Sequence, residues 1–278
     1  MCQCAPTAEL ARSGRSDAIG LRRRPLASAA RGLHLVALRS EQRDHLGAVV
    51  ALHFHHAVFH RPARAAGGLQ RLGKLLEQKL GAEVVYTRDD DTFIPLETRT
   101  AIANKHEADL FISVHANSSR DPKARGVETY YLNFTSDSEA LDVAARENAV
   151  SEKSVFELSD LVKKIALKEK IEESREFASD VQGALFSGLA LKNAGLRNRG
   201  VKKAPFVVLI GANMPSILAE ISFVSNPQDE RRLKTPEYRQ KIAESLFKGV
   251  NKYANGLSGV KNASKLRADA AGGSSGGQ

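Results

Sequence analysis

From about Leu69 onward, apolar and polar residues follow two clear periods. In GLQRLGKLLEQKL the apolar positions Leu69, Leu72, Leu75, Leu76 and Leu80 form the stripe of an amphipathic helix, and Gly81 stands where a left-handed residue ends one. AEVVYT predicts a short strand. PLETRTAIANKHEA predicts a helix turning Leu96, Ala101 and Ile102 toward the core. LFISVHAN, GVETYYLN (126–133), FVVLIG and SILAEISF predict further strands. A polar–apolar tract from Ser138 to Asn193 predicts two helices, one with the stripe Leu158, Leu161, Val162 and Ile165, the other with Phe177, Val181 and Leu185. PEYRQKIAESLFKGVNKY closes the pattern as a helix burying Tyr238, Ile242, Leu246 and Val250. Helices alternating with strands predict an α/β fold: a single twisted mixed sheet flanked by helices on both faces, with a helical insertion.

The period weakens at both ends. Residues 69–257 read as one domain, with its first strand within GAVVAL at 47–52. Residues 258–278, ending GGSSGGQ, read as a flexible tail. Residues 1–68 read as an atypical, poorly ordered N-terminal segment holding at most one strand and one helix.

Composition sharpens that division. Residues 1–73 contain 11 Arg, no Lys and 4 acidic residues, whereas the remaining 205 carry 30 basic and 28 acidic ones. The net charge of +9 is therefore mostly a property of the first quarter. The domain itself is nearly neutral, and the Arg-rich segment lacks the aromatic interleaving of a nucleic-acid surface, so no nucleic-acid partner is expected. Cys2 and Cys4 are the only cysteines and lie too near the terminus to staple a core. No run of about 18 apolar residues predicts a transmembrane segment. LRRRPLASAARGLHLVAL makes a poor export signal, and none is expected.

Two residues do not fit their strands. His115 follows the apolar LFISV, where α/β folds place their sites at strand carboxyl ends. Glu220 sits among Leu218, Ala219 and Ile221, where a carboxylate is costly unless paired or bound. Taken alone, each has an ordinary reading: a strand-end hydrogen bond for the histidine, a solvent-facing position for the glutamate. A His and a Glu converging at one sheet edge, followed by Asn117 and Asn226, would suit metal-assisted hydrolysis.

VVYTRDDDTFIPLETRTAIANKHEADLFISVHANSS, then GVETYYLN, then ILAEISFVSNPQDERRL, resemble the zinc-dependent N-acetylmuramoyl-L-alanine amidases, and among them the division-type cell-wall enzymes, over about residues 69–255. The resemblance implies hydrolysis of the amide between N-acetylmuramic acid and L-alanine of peptidoglycan, in cell-wall remodelling or cell separation, in the periplasm or outside the cell. It implies Zn2+ as cofactor, His115 as a zinc ligand and Glu220 as the catalytic proton carrier. Arg99, in ETRTAIAN, fits the family pattern as structural or electrostatic support.

The family's first strand leads into a DPGHGG loop carrying another zinc histidine, and a glutamate ligand opens the next helix. Here LGAVVALHFHHAVFHRPARAAGGLQ stands instead, and no Asp or Glu lies between Asp44 and Glu77. One reading takes the N-terminal segment as an out-of-frame or misjoined stretch on an amidase core. Another lets His53, His55, His56 or His60 replace the lost histidine. In the division-type enzymes an insertion comparable to 138–200 carries a helix that blocks the zinc until an activator protein displaces it. ARENAVSEKS and DLVKKIALKEKIEE are the candidates here, with Glu147 or Glu152 reaching the metal; a solvated helix packed by one stripe is the plainer alternative. The competing function is a catalytically impaired, amidase-like peptidoglycan-binding protein.

Overall fold

The structure is a computed structural model that describes residues 49–54, 62–88, 92–149, 151 and 168–272. The rest of the segment expected to be poorly ordered, the stripe Leu158–Ile165, Glu152, His55, His56 and His60 lie outside the described residues.

Six strands form one mixed sheet: β1 (Val49–Phe54), β2 (Glu83–Tyr86), β3 (Leu110–Asn117), β4 (Val127–Leu132), β5 (Asn198–Ala204) and β6 (Ser216–Phe223), in the order β2-β1-β3-β6-β4-β5. The first four in that order run parallel; β4 pairs antiparallel with β6, and β5 runs parallel to β4. The helices are α1 (Pro62–Leu80), α2 (Leu96–Lys105), α3 (Ser138–Asn148), α4 (Lys168–Ala190), α5 (Pro227–Leu233) and α6 (Pro236–Gly272). None of the described helices is long and apolar enough to cross a membrane.

Strand alternation gives the sheet two unlike faces. On one, Leu110, Ile112, Val114 and Ala116 of β3 and Ile217, Ala219 and Ile221 of β6 pack with Leu72 and Leu76 of α1, Phe177, Val181 and Leu185 of α4, and Ile242, Leu246 and Val250 of α6. This is the larger core, and the helical stripes legible in the sequence meet there. α4 and α6 approach closely because Gly249 faces Val181: a Cβ on Gly249 would lie 2.6 Å from the Val181 Cα. Gly81 has φ +62° and donates to the Glu77 carbonyl at 3.1 Å, ending α1 as its sequence position predicts.

The other face is apolar only at one end. Phe111, Leu218 and Tyr130 pack under Leu96 and Ala103 of α2, Ala140, Val143 and Ala144 of α3, and a short 3₁₀ turn at Val207–Leu209. Further along the same strands the inward positions become Ser113, His115 and Asn117, Glu220 and Ser222, and Glu128, all buried. The apolar layer stops halfway, and a polar chamber begins.

Several expectations need correction. FVVLIG is not a strand but the 3₁₀ turn and its flanks, with Phe206 to Ile210 buried on every side; a fully buried apolar run has no period to separate strand from turn. The missed strand is β5, NRGVKKA, whose charges are tolerated because it forms the sheet edge. In α2 the inward face is Leu96, Arg99, Thr100 and Ala103, while Ala101 is exposed and Ile102 half-buried. The helix is rotated because its polar residues clasp the 210–213 loop: Thr100 Oγ1 donates to Ile210 O at 3.2 Å and Asn104 Nδ2 to Gly211 O at 2.7 Å. α1 begins at Pro62, ahead of the Leu69 stripe, proline being suited to a helix's first position. β1 spans Val49–Phe54, two residues past the expected end at 52, while residues 47 and 48 lie outside the described residues. α6 runs on to Gly272, into the segment read as tail, through the Ala- and Lys-containing KNASKLRADAA, which favours helix.

Candidate active site

β3 and β6 are neighbours in parallel register, with His115 opposite Glu220. β4 continues the row on the other side of β6, with Glu128 opposite Glu220. Three consecutive strands thus carry a histidine and two glutamates at one level of the sheet, near the carboxyl ends of β3 and β6. Glu220 does not face solvent: it is fully buried, as is Glu128, and His115 is 1% exposed.

α3 lies over this chamber. Asp137 caps its start by accepting from Ala140 N. Its far end is pinned by Asn148, which donates to Pro205 O and accepts from Val207 N, both at 2.9 Å. Just beyond, Ser151 Oγ donates to Glu97 Oε1 of α2 at 2.6 Å. Held this way, α3 points Glu147 at the histidine: Glu147 Oε2 lies 2.6 Å from His115 Nδ1. The other ring nitrogen, Nε2, is 2.8 Å from Ser113 Oγ. Such a short carboxylate contact requires a proton between its atoms. The self-consistent arrangement has Nδ1–H donating to Glu147 and the Ser113 hydroxyl donating to Nε2. Arg146, the residue before Glu147 on α3, reaches Asn117 Oδ1 at 3.4 Å.

His115, Glu147 and Glu220 each present a donor atom within 4.8 Å of the others. Neither oxygen of Glu220 has a hydrogen-bond partner among the described residues. Burial, and then the neighbouring Glu147 and Glu128 carboxylates, push the Glu220 carboxyl well above the usual range, against a weaker opposing pull from Arg146. An imidazole nitrogen of His115 and the Glu147 carboxylate are donors of the kind that zinc takes, and Glu220 stands beside them with both oxygens buried and without a hydrogen-bond partner among the described residues, as a proton-transfer group would.

Glu128 is differently placed. It accepts from Asn117 Nδ2 at 2.5 Å and pairs with Arg199 Nε at 3.1 Å and Lys202 Nζ at 2.8 Å. Nothing in the spacing of GVETYYLN singled Glu128 out beyond its place in a buried strand. The useful signal was a glutamate amid residues of high β propensity, as it was for Glu220.

The remaining sequence candidates fall elsewhere. Arg99 is buried and donates from Nε to Ile94 O at 2.8 Å, bracing the approach to α2; burial lowers its pKa to about 10. It is not a member of the donor cluster. Asn226 caps α5, accepting from Gln228 N and Asp229 N. The backbone of His53 pairs with Ser113, so β1 ends beside β3 on the same rim.

Fold and rim together define an α/β protein with a buried His–Glu–Glu cluster at the carboxyl ends of its central strands. The family model described as N-acetylmuramoyl-L-alanine amidase, Amidase_3, matches residues 67–252, and the chain belongs to that family. It is 35% identical over 194 residues to the N-acetylmuramoyl-L-alanine amidase AmiA of Escherichia coli (strain K12), a match covering 67% of this chain and 66% of that protein. It is 37% identical over 180 residues to YqiI of Bacillus subtilis (strain 168), covering 65% of this chain and 67% of that one. The chain thus spans about two thirds of the length of these relatives. Among solved structures, AmiC2 of Nostoc punctiforme, an N-acetylmuramoyl-L-alanine amidase, superposes with a TM-score of 0.53 at 25% identity, covering 76% of this chain and 99% of that one.

Proposed function

We propose that this chain hydrolyses the amide bond between N-acetylmuramic acid and L-alanine in peptidoglycan, with His115 as a ligand of a zinc ion and Glu220 as the proton carrier. The observation that carries the reading is the pairing of a buried histidine with a buried, unpartnered glutamate on facing strand positions, inside a chain of the amidase family. When bound, zinc polarises the scissile carbonyl and lowers the pKa of the attacking water. With Glu147 displaced, Nδ1 would be the ring nitrogen open to the metal, and the tautomer that frees it has Nε2–H donating to Ser113 Oγ, the second hydrogen bond that orients a ligating histidine. Glu220 would take a proton from water and return it to the departing amine, the charge of a bound cation countering the burial and the neighbouring carboxylates that raise its pKa.

Glu147 supports a regulated form of this reading. It occupies Nδ1 of His115 from a helix in the family's variable insertion, and thereby blocks the approach to the ring. Displacement of α3 by an activator protein opens the site. Action outside the cytoplasmic membrane, in cell-wall remodelling or cell separation, follows from the substrate. The domain responsible spans 69–257 together with β1, whose end at the His115 rim leads into the histidine-rich stretch that follows it in sequence.

The missing family glutamate ahead of α1 favours one second reading, an amidase-like protein that binds peptidoglycan without cleaving it. Zinc content and dye release from labelled cell walls separate the two. The enzyme reading expects about one zinc per chain and release that Glu220→Gln reduces about 10²- to 10⁴-fold. Wall binding with neither zinc nor release would establish the alternative.

A further inference from the structure

We propose that Arg199 and Lys202 form a seat for a carboxylate of the peptide entering the site, and that Glu139 fills this seat in its absence. The inference rests on the amidase reading for what enters; the seat itself stands on four side chains. Arg199 and Lys202 both pair with Glu128 beneath them, and both pair with Glu139 above, Lys202 Nζ lying 3.1 Å from Glu139 Oε2. The lower carboxylate is fully buried, the two cations are 18% and 16% exposed, and Glu139 is 56% exposed. Two cations over one buried carboxylate leave one net positive charge. A desolvated cation is costly without a partner, so an anion belongs above the pair. Glu139, on the first turn of α3 and more than half in solvent, is the exchangeable member.

The cations are held in place before any ligand arrives. Arg199 lies over the Phe223 ring at 5.2 Å and Lys202 over the Tyr130 ring at 5.9 Å. Asn117, two residues past His115, fixes the far oxygen of Glu128. The seat is therefore tied to the same polar layer as the candidate active site.

Its position selects the ligand. Glu220 lies on β6, and the cations lie on β5, two strands away. With neighbouring strands about 4.8 Å apart, the separation across the sheet is about 10 Å. An extended peptide advances about 3.3 Å per residue, so the seated carboxylate belongs about three residues from the amide presented to Glu220. The class is an acidic peptide with its charge at that distance from the cleaved bond.

Calorimetry on the full chain tests this with a muramyl tripeptide carrying either a free or an amidated carboxyl on its third residue, in a Glu220→Gln, Glu147→Ala background that prevents turnover and removes the block on His115. The free acid is expected to bind about tenfold more tightly than the amide. Glu139→Gln is expected to tighten the free acid about fivefold and leave the amide unchanged. Lys202→Gln weakens only the free acid, and because Arg199 still holds Glu128 the fold is retained. Equal affinity for acid and amide, no tightening with Glu139→Gln, or no binding of either ligand overturns the seat. Dye release by the unsubstituted chain judges the amidase reading separately: release alongside equal affinities leaves that reading standing and refutes the seat alone.

Discussion

Replacing Glu220 with Gln makes a test of the chamber's electrostatics that does not depend on turnover. The native carboxyl is fully buried and its pKa is raised, first by burial and then by Glu147 and Glu128. In the unfolded chain a glutamate titrates at about pH 4.3. Between that value and the raised native one, the folded protein keeps a proton that the unfolded chain has released. The unfolded state then binds one proton fewer, so stability falls as pH rises, by about 1.4 kcal/mol per pH unit. The contribution is fully present below the unfolded pKa and is lost as pH climbs through the native one. The amide that Glu220→Gln puts in its place does not titrate. The scale is bounded by repulsion: carboxylate oxygens within 4.8 Å, if both charged, repel by about 3 kcal/mol at an effective dielectric of about 20. Urea unfolding followed by far-UV circular dichroism, in EDTA at pH 5, 6 and 7, reads the effect. The stability of the unsubstituted chain relative to the variant should fall as pH rises across this series. Parallel stability curves would refute the account of Glu220 as a carboxyl held protonated by its surroundings.

Glu147→Ala removes the 2.6 Å contact to His115; it should lower unfolding free energy by about 1–3 kcal/mol and raise dye release from labelled walls. Unchanged release would count against α3 as a block. Gly249→Ala forces a methyl against the Val181 backbone and should cost about 1–3 kcal/mol with zinc content per folded chain unaltered; a neutral result in thermal unfolding would mean α4 and α6 are not closely apposed there. Asn226→Ala removes the cap of α5 and the bond from Nδ2 to Pro122 O, for a loss of about 1 kcal/mol or more, seen as a drop in Tm; no drop would show that α5 does not need its cap.

The parts of the fold that could be read along the chain are those whose burial is one-sided. A helix with one face in the core shows a period of three to four, as in Leu69–Leu80 and Tyr238–Val250, and those stripes pack into the core where the period placed them, Leu75 and Leu80 only partly covered at its margin. FVVLIG carries no such period because every side of it is covered, and NRGVKKA hides a strand because its edge position keeps its charges near water. α2 was placed correctly but rotated, since hydrogen bonds to the 210–213 loop rather than hydrophobicity choose its inward face.

His115 and Glu220 could be singled out in the chain because a polar group inside an apolar strand costs free energy unless something compensates it, and that cost is local to each strand. What compensates it is not local. Glu128 entered the row through β4 pairing antiparallel with β6, and Glu147 arrived on a helix 32 residues after the histidine it touches. Arg199 and Lys202 came from an edge strand that only the sheet order places beside them. Sequence alone therefore determined the elements and the two residues whose burial demanded a reason; register and strand order determined their partners, because Coulomb and hydrogen-bond energies depend on distances that exist only once the chain has closed on itself.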